Sequence, residues 1–215
     1  MSQEVVRYPG DRPSLAAYFG DLTGARVLDV GCGGGGLARH LRLAGAKELV
    51  GLEPDAQHAQ LARTTMDEVV EAPIETALEE SLLNGPWDFV VLADVLEHLL
   101  DPWTVTQQLS ELIAPGGRVL ISVPNVAHKT VIAQLVKHRD WEYVDTGMFD
   151  RTHLRWFGRN TLNGMITDAG LEPIKWGGSI VAGWGPIQYA KVTNDLGHWP
   201  LVFVYHFHVV ARKPS

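Results

Sequence analysis

Short apolar runs alternate along this chain with stretches whose apolar residues recur every three or four positions, the pattern of a parallel sheet covered by helices. The runs predict strands at Arg26–Asp29, Leu49–Glu53, Val69–Ile74, Asp88–Ala93 and Arg118–Val123. The stronger ones, DFVVLA and RVLISV, are almost continuously apolar. Such runs suit strands buried on both faces. Between them, helices are predicted over Leu37–Leu43, Asp55–Thr65 and Pro102–Ile113, the last stopped by the turn Pro115-Gly116-Gly117.

After Pro124 the rhythm changes. A helix is predicted over Lys129–His138, followed by an aromatic and charged stretch, WEYVDTGMFDRTHLRWFGR. A further helix, Thr161–Ala169, closes at Gly170 and leads into a strand at Leu171–Lys175. A loop rich in Gly and Trp, Trp176–Pro200, precedes the β-prone final segment LVFVYHFHVVARK. A last strand that returns from a long connection is expected antiparallel at the sheet's edge, beside its predecessor.

Composition narrows the class. With 215 residues, 46% of them hydrophobic, the chain is long enough to bury roughly 70% of its unfolded surface without staples. The single cysteine, Cys32, forms no internal disulfide and no zinc cluster, which points to a reducing, cytoplasmic setting. The first 14 residues lack a basic start with an apolar run, and no stretch of about 18 apolar residues occurs, so secretory and membrane-spanning readings are not expected. A net charge of −7 argues against nucleic-acid binding, which needs a basic face. The charge is unevenly spread. Residues 1–124 carry 8 basic and 18 acidic residues, while residues 125–215 carry 10 and 7, with 12 of the 18 aromatics and 6 of the 9 histidines. One domain, 1–215, is expected, with a cofactor-binding part (1–124) and an acceptor-binding and lid part (125–215).

The strongest chemical signal is VLDVGCGGGG, a predicted strand running into glycines and then a helix. Glycines permit a tight turn and let a ligand lie against bare backbone, while the helix start offers free N–H groups. Glu53 stands 22 residues after Gly31, where a carboxylate can accept both ribose hydroxyls. A nucleoside-containing cofactor follows. Gly31, Gly33 and Gly36 satisfy G-x-G-x-x-G, so NAD and an oxidoreductase must be weighed. Asp29, two residues before the first glycine, would repel a pyrophosphate but suits the ammonium of S-adenosylmethionine.

The series VLDVGCGGG, LVGLEPD, WDFVVLADVLEHLLDP and LIAPGGRVLISVPN, with FDRTHLRWFGRNTLNGMITDAGLEP later, resembles the class I S-adenosylmethionine-dependent methyltransferases, nearest the ubiquinone-biosynthesis-like small-molecule O-methyltransferases. The resemblance covers about residues 24 to 175. It implies an α/β, Rossmann-like fold with a seven-stranded, mostly parallel sheet of order 3-2-1-4-5-7-6, an antiparallel last strand and helices on both faces. It also implies that Asp29, Gly31, Cys32, Gly33 and Gly35 surround the methionine part of the cofactor. Glu53 would then hold the ribose, Pro54 and Asp55 lie beside the adenosine, and Ala93 and Asp94 sit under the sulfonium. Many relatives have an acidic residue for the adenine after the third strand; here Pro73 occupies that place, leaving Ile74 to give backbone and apolar contact.

Methyl transfer to a hydroxyl needs alignment and a base, and histidine is the natural base near neutral pH. His98 follows the fourth predicted strand, at the edge where open α/β sheets bind ligands; its other reading is a residue that packs the turn. His153 stands beside Asp150, which could orient it, and Arg151. Equally, the three could form a salt-bridged turn. His206 and His208 share a strand face, where strand decoration is favoured over a metal pair without a third ligand. No His/Asp/Glu cluster has metal-ligand spacing, so no metal is expected. His128, Arg151, Trp156 and Trp184 are candidates for binding the acceptor, by stacking or by charge. The expected function is metal-independent methyl transfer to a small molecule, on oxygen, by a monomer or homodimer that engages neither nucleic acid nor membrane. N-methylation, an NAD-dependent oxidoreductase and a non-catalytic cofactor-binding subunit are the competing readings.

Overall fold

The computed structural model describes residues 13–181, 189–193 and 201–215. Five parallel strands form one side of the sheet: β1 (Arg26–Val30), β2 (Glu48–Leu52), β3 (Glu68–Val70), β4 (Trp87–Ala93) and β5 (Ile113–Pro124). Three more, β6 (Glu172–Val181), β7 (Tyr189–Thr193) and β8 (Val204–Arg212), complete it in the order β3-β2-β1-β4-β5-β8-β6-β7. This is the expected seven-strand order with one strand added, since β7 pairs antiparallel on the outside of β6. β8 runs antiparallel to both β5 and β6. It therefore lies inside the sheet rather than at the edge anticipated from its long connection. Its alternation explains why: Phe207, Val209 and Ala211 join the core cluster on one face, and Val210 the cluster on the other. A strand with both faces apolar gains more by insertion than at an edge.

The same two-sided burial accounts for the continuous apolar runs. Leu28 and Val30 of β1, Val90 and Leu92 of β4, and Val119, Ile121 and Val123 of β5 face one layer. Val27, Phe89, Val91 and Leu120 face the other. The helices are α1 (Pro13–Ala16), α2 (Ala38–Leu43), α3 (Ala56–Ala62), α4 (Ile74–Glu79), α5 (Pro102–Leu112), α6 (Lys129–Ala133) and α7 (Arg159–Asp168). α5 starts as its sequence dictates, with Pro102 in the first turn and Asp101 accepting the Thr104 N–H at 3.2 Å. Among the described residues no helix is long and apolar enough to cross a membrane.

Four expectations are corrected. The Val69–Ile74 strand ends at Val70, because Pro73 caps α4 and Ile74 is its first residue. After α5 the chain runs directly into β5; Trp87 pairs with Ile113 and Phe89 with Arg118, so Pro115-Gly116-Gly117 is an irregularity within the ladder. The helix at Lys129 becomes a π-turn over Gln134–His138, which ends at Arg139 in a left-handed conformation. Finally, β6 extends through Val181 into the predicted loop. Glycine allows this, since a Cβ at Gly178 would press on the His206 carbonyl of β8.

Candidate active site

The glycine loop is drawn across to the end of β2: the Gly31 and Cys32 N–H groups both donate to the Leu52 carbonyl, at 2.8 and 3.1 Å. Gly31 and Gly35 take left-handed φ of 66° and 82°. A Cβ at Gly31 would strike Val95, and one at Gly35 would strike the Thr65 hydroxyl. Gly33, also left-handed, opens onto empty space instead. Bare backbone facing a void is where a ligand can rest on the loop.

Carboxylates define the charge of this cradle. Glu53 accepts the Gly33 N–H at 2.8 Å through one oxygen and the Asp55 N–H at 3.0 Å through the other. It thus binds the loop to β2 while each oxygen keeps a lone pair. Asp29 is buried in β1 beside Gly51. Burial chiefly, then the charges of Asp29 and Glu53, push the Cys32 thiol above its ordinary range, so Cys32 is an inert filler rather than a nucleophile. Two carboxylates bracketing the loop fit an ammonium and a ribose, and disfavour a pyrophosphate. Pro54 is exposed, and so is Asp55, which caps α3 by accepting the Gln57 and His58 N–H groups at 3.0 and 2.9 Å. The His58 N–H is the main cause that holds the Asp55 carboxyl below its ordinary value. The Ile74 side chain is buried in the core cluster.

At the end of β4, Ala93 pairs with Ser122 of β5 and Asp94 takes a left-handed φ of 56°. A non-glycine residue holds such a conformation only when its surroundings dictate it. Here the Asp94 N–H donates to the Ser122 carbonyl at 2.9 Å, and the Ser122 hydroxyl donates to Asp94 Oδ1 at 3.0 Å. His206 Nε2, from β8, lies 3.9 Å from Asp94 Oδ2. The sequence did not single out Ser122 and gave His206 only a decorative role. The signal for both is strand order, since β8 reaches Asp94 only by lying next to β5.

A long-range clamp joins the turn after β4 to the 152–155 segment. Leu154 and Arg155 donate backbone N–H groups to the Glu97 carbonyl at 2.7 and 3.1 Å, and the Arg155 guanidinium donates to the Leu100 carbonyl. This brings His98 and His153 together, with ring centroids 4.8 Å apart. His98 Nδ1 lies 3.2 Å from the Thr152 carbonyl and 3.1 Å from its hydroxyl. A carbonyl only accepts, so Nδ1 carries the proton in that contact. Burial chiefly, and then His98, lower the His153 pKa, against the opposing pull of Asp150 and Asp94. Asp150 accepts the N–H and hydroxyl of Thr152 at 2.8 and 2.6 Å, and bears on His153 as a nearby charge. Burial is the largest single influence on Asp150 and raises its pKa, but the Thr152 bonds together with His153 and His98 hold it below its ordinary value.

Folding also gathers what spacing did not show. Glu97, His98 and His153 offer a carboxylate oxygen and two ring nitrogens within 4.8 Å of one another, a donor set of the kind divalent metals take. Other assignments move. Arg151 is exposed and paired with Asp145 at 2.8 Å, so its charge is already matched. Trp156 is half exposed and packs edge-on against Trp141, 5.7 Å between centroids, in an aromatic group with Tyr143 and Phe149. His128 is fully buried at the start of α6, accepting the Thr130 N–H, and not at a pocket mouth. Trp184 lies outside the described residues.

Residues 6–175 match the family model for the methyltransferase domain. A ubiquinone biosynthesis O-methyltransferase of Cronobacter sakazakii is 31% identical over 207 residues, covering 93% of this chain and 80% of that one. Its counterpart in Pectobacterium atrosepticum is 40% identical over 111 residues, 48% of this chain and 44% of that one. Among solved structures, an S-adenosylmethionine-dependent methyltransferase of Archaeoglobus fulgidus superposes with a TM-score of 0.68 at 16% identity, covering 94% and 92% of the two chains. One from Thermotoga maritima, described as a possible histamine N-methyltransferase, gives 0.66 at 17% identity, with 92% and 85% covered. With a glycine cradle bracketed by carboxylates at the strand ends, the chain belongs to the methyltransferase-domain family and is an S-adenosylmethionine-dependent methyltransferase.

Proposed function

We propose that this enzyme methylates an oxygen of a small-molecule acceptor, and that it does so in the cytoplasm. The carrying observation is the convergence of His98 and His153, 4.8 Å apart, through the clamp on the Glu97 carbonyl. S-adenosylmethionine supplies an electrophilic methyl group on a sulfonium, open to in-line displacement. In this reading Asp29 takes its ammonium, Glu53 its ribose hydroxyls and the glycine loop its methionine part, with Pro54, Asp55 and Ile74 around the adenosine. Ala93 and Asp94 face the sulfonium. His98 and His153 hydrogen-bond the acceptor oxygen, and Asp150 stands beside His153 as a nearby charge. The aromatic group of Trp141, Tyr143, Phe149 and Trp156 covers the acceptor and excludes water. Alignment of this kind can supply several kcal/mol of the barrier, of order 7 at high effective molarity.

Oxygen is favoured over nitrogen because a hydroxyl must lose its proton during transfer, and histidines gather beyond the end of β4, whereas an unprotonated amine attacks as it stands. The names of the curated relatives point the same way. A screen of hydroxyl- and amine-bearing small molecules with methyl-labelled cofactor, read by mass spectrometry of the products, tests the reading. Label on oxygen is expected. Label confined to amines, or to protein or RNA, contradicts it.

A further inference from the structure

Three adjacent strands converge on Asp94. β4 supplies the carboxylate, β5 supplies Ser122, which fixes its orientation through two bonds, and β8 supplies His206. The His206 and Asp94 side chains are each about one-sixth exposed, 16% and 17%, so both are sheltered without being sealed. We propose that His206 accepts the proton of the acceptor hydroxyl, and that Asp94 serves as counterion first to the cofactor sulfonium and then to the His206 imidazolium. The inference rests on the oxygen-transfer reading above.

Charge conservation at one carboxylate is the physical argument. As the acceptor oxygen bonds to the methyl carbon, the S–C bond breaks and its electron pair returns to sulfur, which becomes neutral. The hydroxyl proton passes to a ring nitrogen of His206. The site has then exchanged one cation for another beside the same anion, and His206 later releases its proton to solvent. His153 is less suited to that proton: burial opposes its charging, and the His98 ring lies 4.8 Å away. Across the sheet His206 pairs with Pro124 of β5 and Ser179 of β6, and its ring stands 4.9 Å from the Tyr205 ring. Ser122 of β5 and Ser179 of β6 are uncharged. His128, at the start of α6, is pushed down to about 4, chiefly by burial, and is neutral in the working range. Lys129 beside it lies 5.0 Å over the Phe203 ring. His208, on the same strand, packs edge-on against Tyr18 at 5.1 Å.

Because sulfonium and imidazolium compete for Asp94, cofactor binding and His206 protonation must be antagonistic, and linkage makes the antagonism reciprocal. The test is calorimetric titration of the full chain with S-adenosylmethionine and with uncharged-sulfur S-adenosylhomocysteine between pH 5.5 and 7.0. The affinity ratio of the two is expected to fall about tenfold as pH is lowered, one pKa unit of coupling. His206→Gln is expected to flatten that dependence while keeping S-adenosylhomocysteine affinity within about twofold. With catechol as acceptor probe, the same variant is expected to lose about 10²- to 10⁴-fold in kcat. A ratio that does not change with pH in the wild type, or that changes equally in His206→Gln, overturns the proposal, as does an unchanged kcat. Failure of both ligands to bind overturns instead the cofactor assignment beneath it.

Discussion

Gly33 and Gly35 share a left-handed backbone but differ in what surrounds them, and that difference separates stability from binding. A methyl group at Gly35 meets the Thr65 hydroxyl, whereas at Gly33 it meets nothing. Gly33→Ala should therefore cost about 1 kcal/mol of stability from the backbone alone, yet lower S-adenosylhomocysteine affinity sharply by filling the cradle. Gly35→Ala should lower the melting temperature further, because the clash adds to the strain. Thermal unfolding and calorimetry on both variants check the contrast; equal effects on affinity would remove Gly33 from the binding surface. His128 makes a separate prediction. Its folded pKa of about 4 lies below the ordinary 6.5, so the unfolded chain binds its proton more readily. Its stabilising share is thus complete above pH 6.5 and lost as pH falls toward 4. His128→Gln should flatten the fall in melting temperature over that interval, and a slope equal to the wild type's would show that burial of His128 does not govern it.

β8 carries both core residues and the proposed proton acceptor. Phe207 is buried in one core layer while its neighbour His206 reaches Asp94. Phe207→Ala is expected to destabilise the fold by about 3–5 kcal/mol, read by denaturant unfolding; a loss below about 1 kcal/mol would contradict the inserted position of β8. The family resemblance implied that position through the order 3-2-1-4-5-7-6, whereas the long connection alone pointed to the edge. The apolar runs of β1, β2, β4 and β5 were legible, because burial on both faces leaves a continuous local signature. β3 was shortened and α4 hidden, since Pro73 stops the one and starts the other within a few residues. β6 was cut short because Gly177 and Gly178 read as a loop, although at Gly178 the absent side chain lets β8 approach.

At the scale of the whole molecule, the residues proposed to hold the cofactor are local in sequence, whereas those proposed to meet the acceptor are not. Asp29, Gly33 and Glu53, proposed to hold the cofactor, stand close along the chain, as strand, loop and next strand follow within 25 residues. His98 and His153, 55 positions apart, were separate candidates that the Glu97 carbonyl joins. Ser122 and His206 needed the order of the sheet. Arg151 pairs at the surface with Asp145, a partner that the sequence did not single out. The acidic 1–124 segment holds Asp29 and Glu53, the carboxylates that suit a cationic, phosphate-free cofactor. That claim is tested most directly by calorimetric titration of S-adenosylhomocysteine into the wild type, Asp29→Ala and Glu53→Ala. The wild type should bind, and each variant should lose at least about tenfold, the loss of one charged hydrogen bond. Near-normal affinity in both variants would contradict the site described.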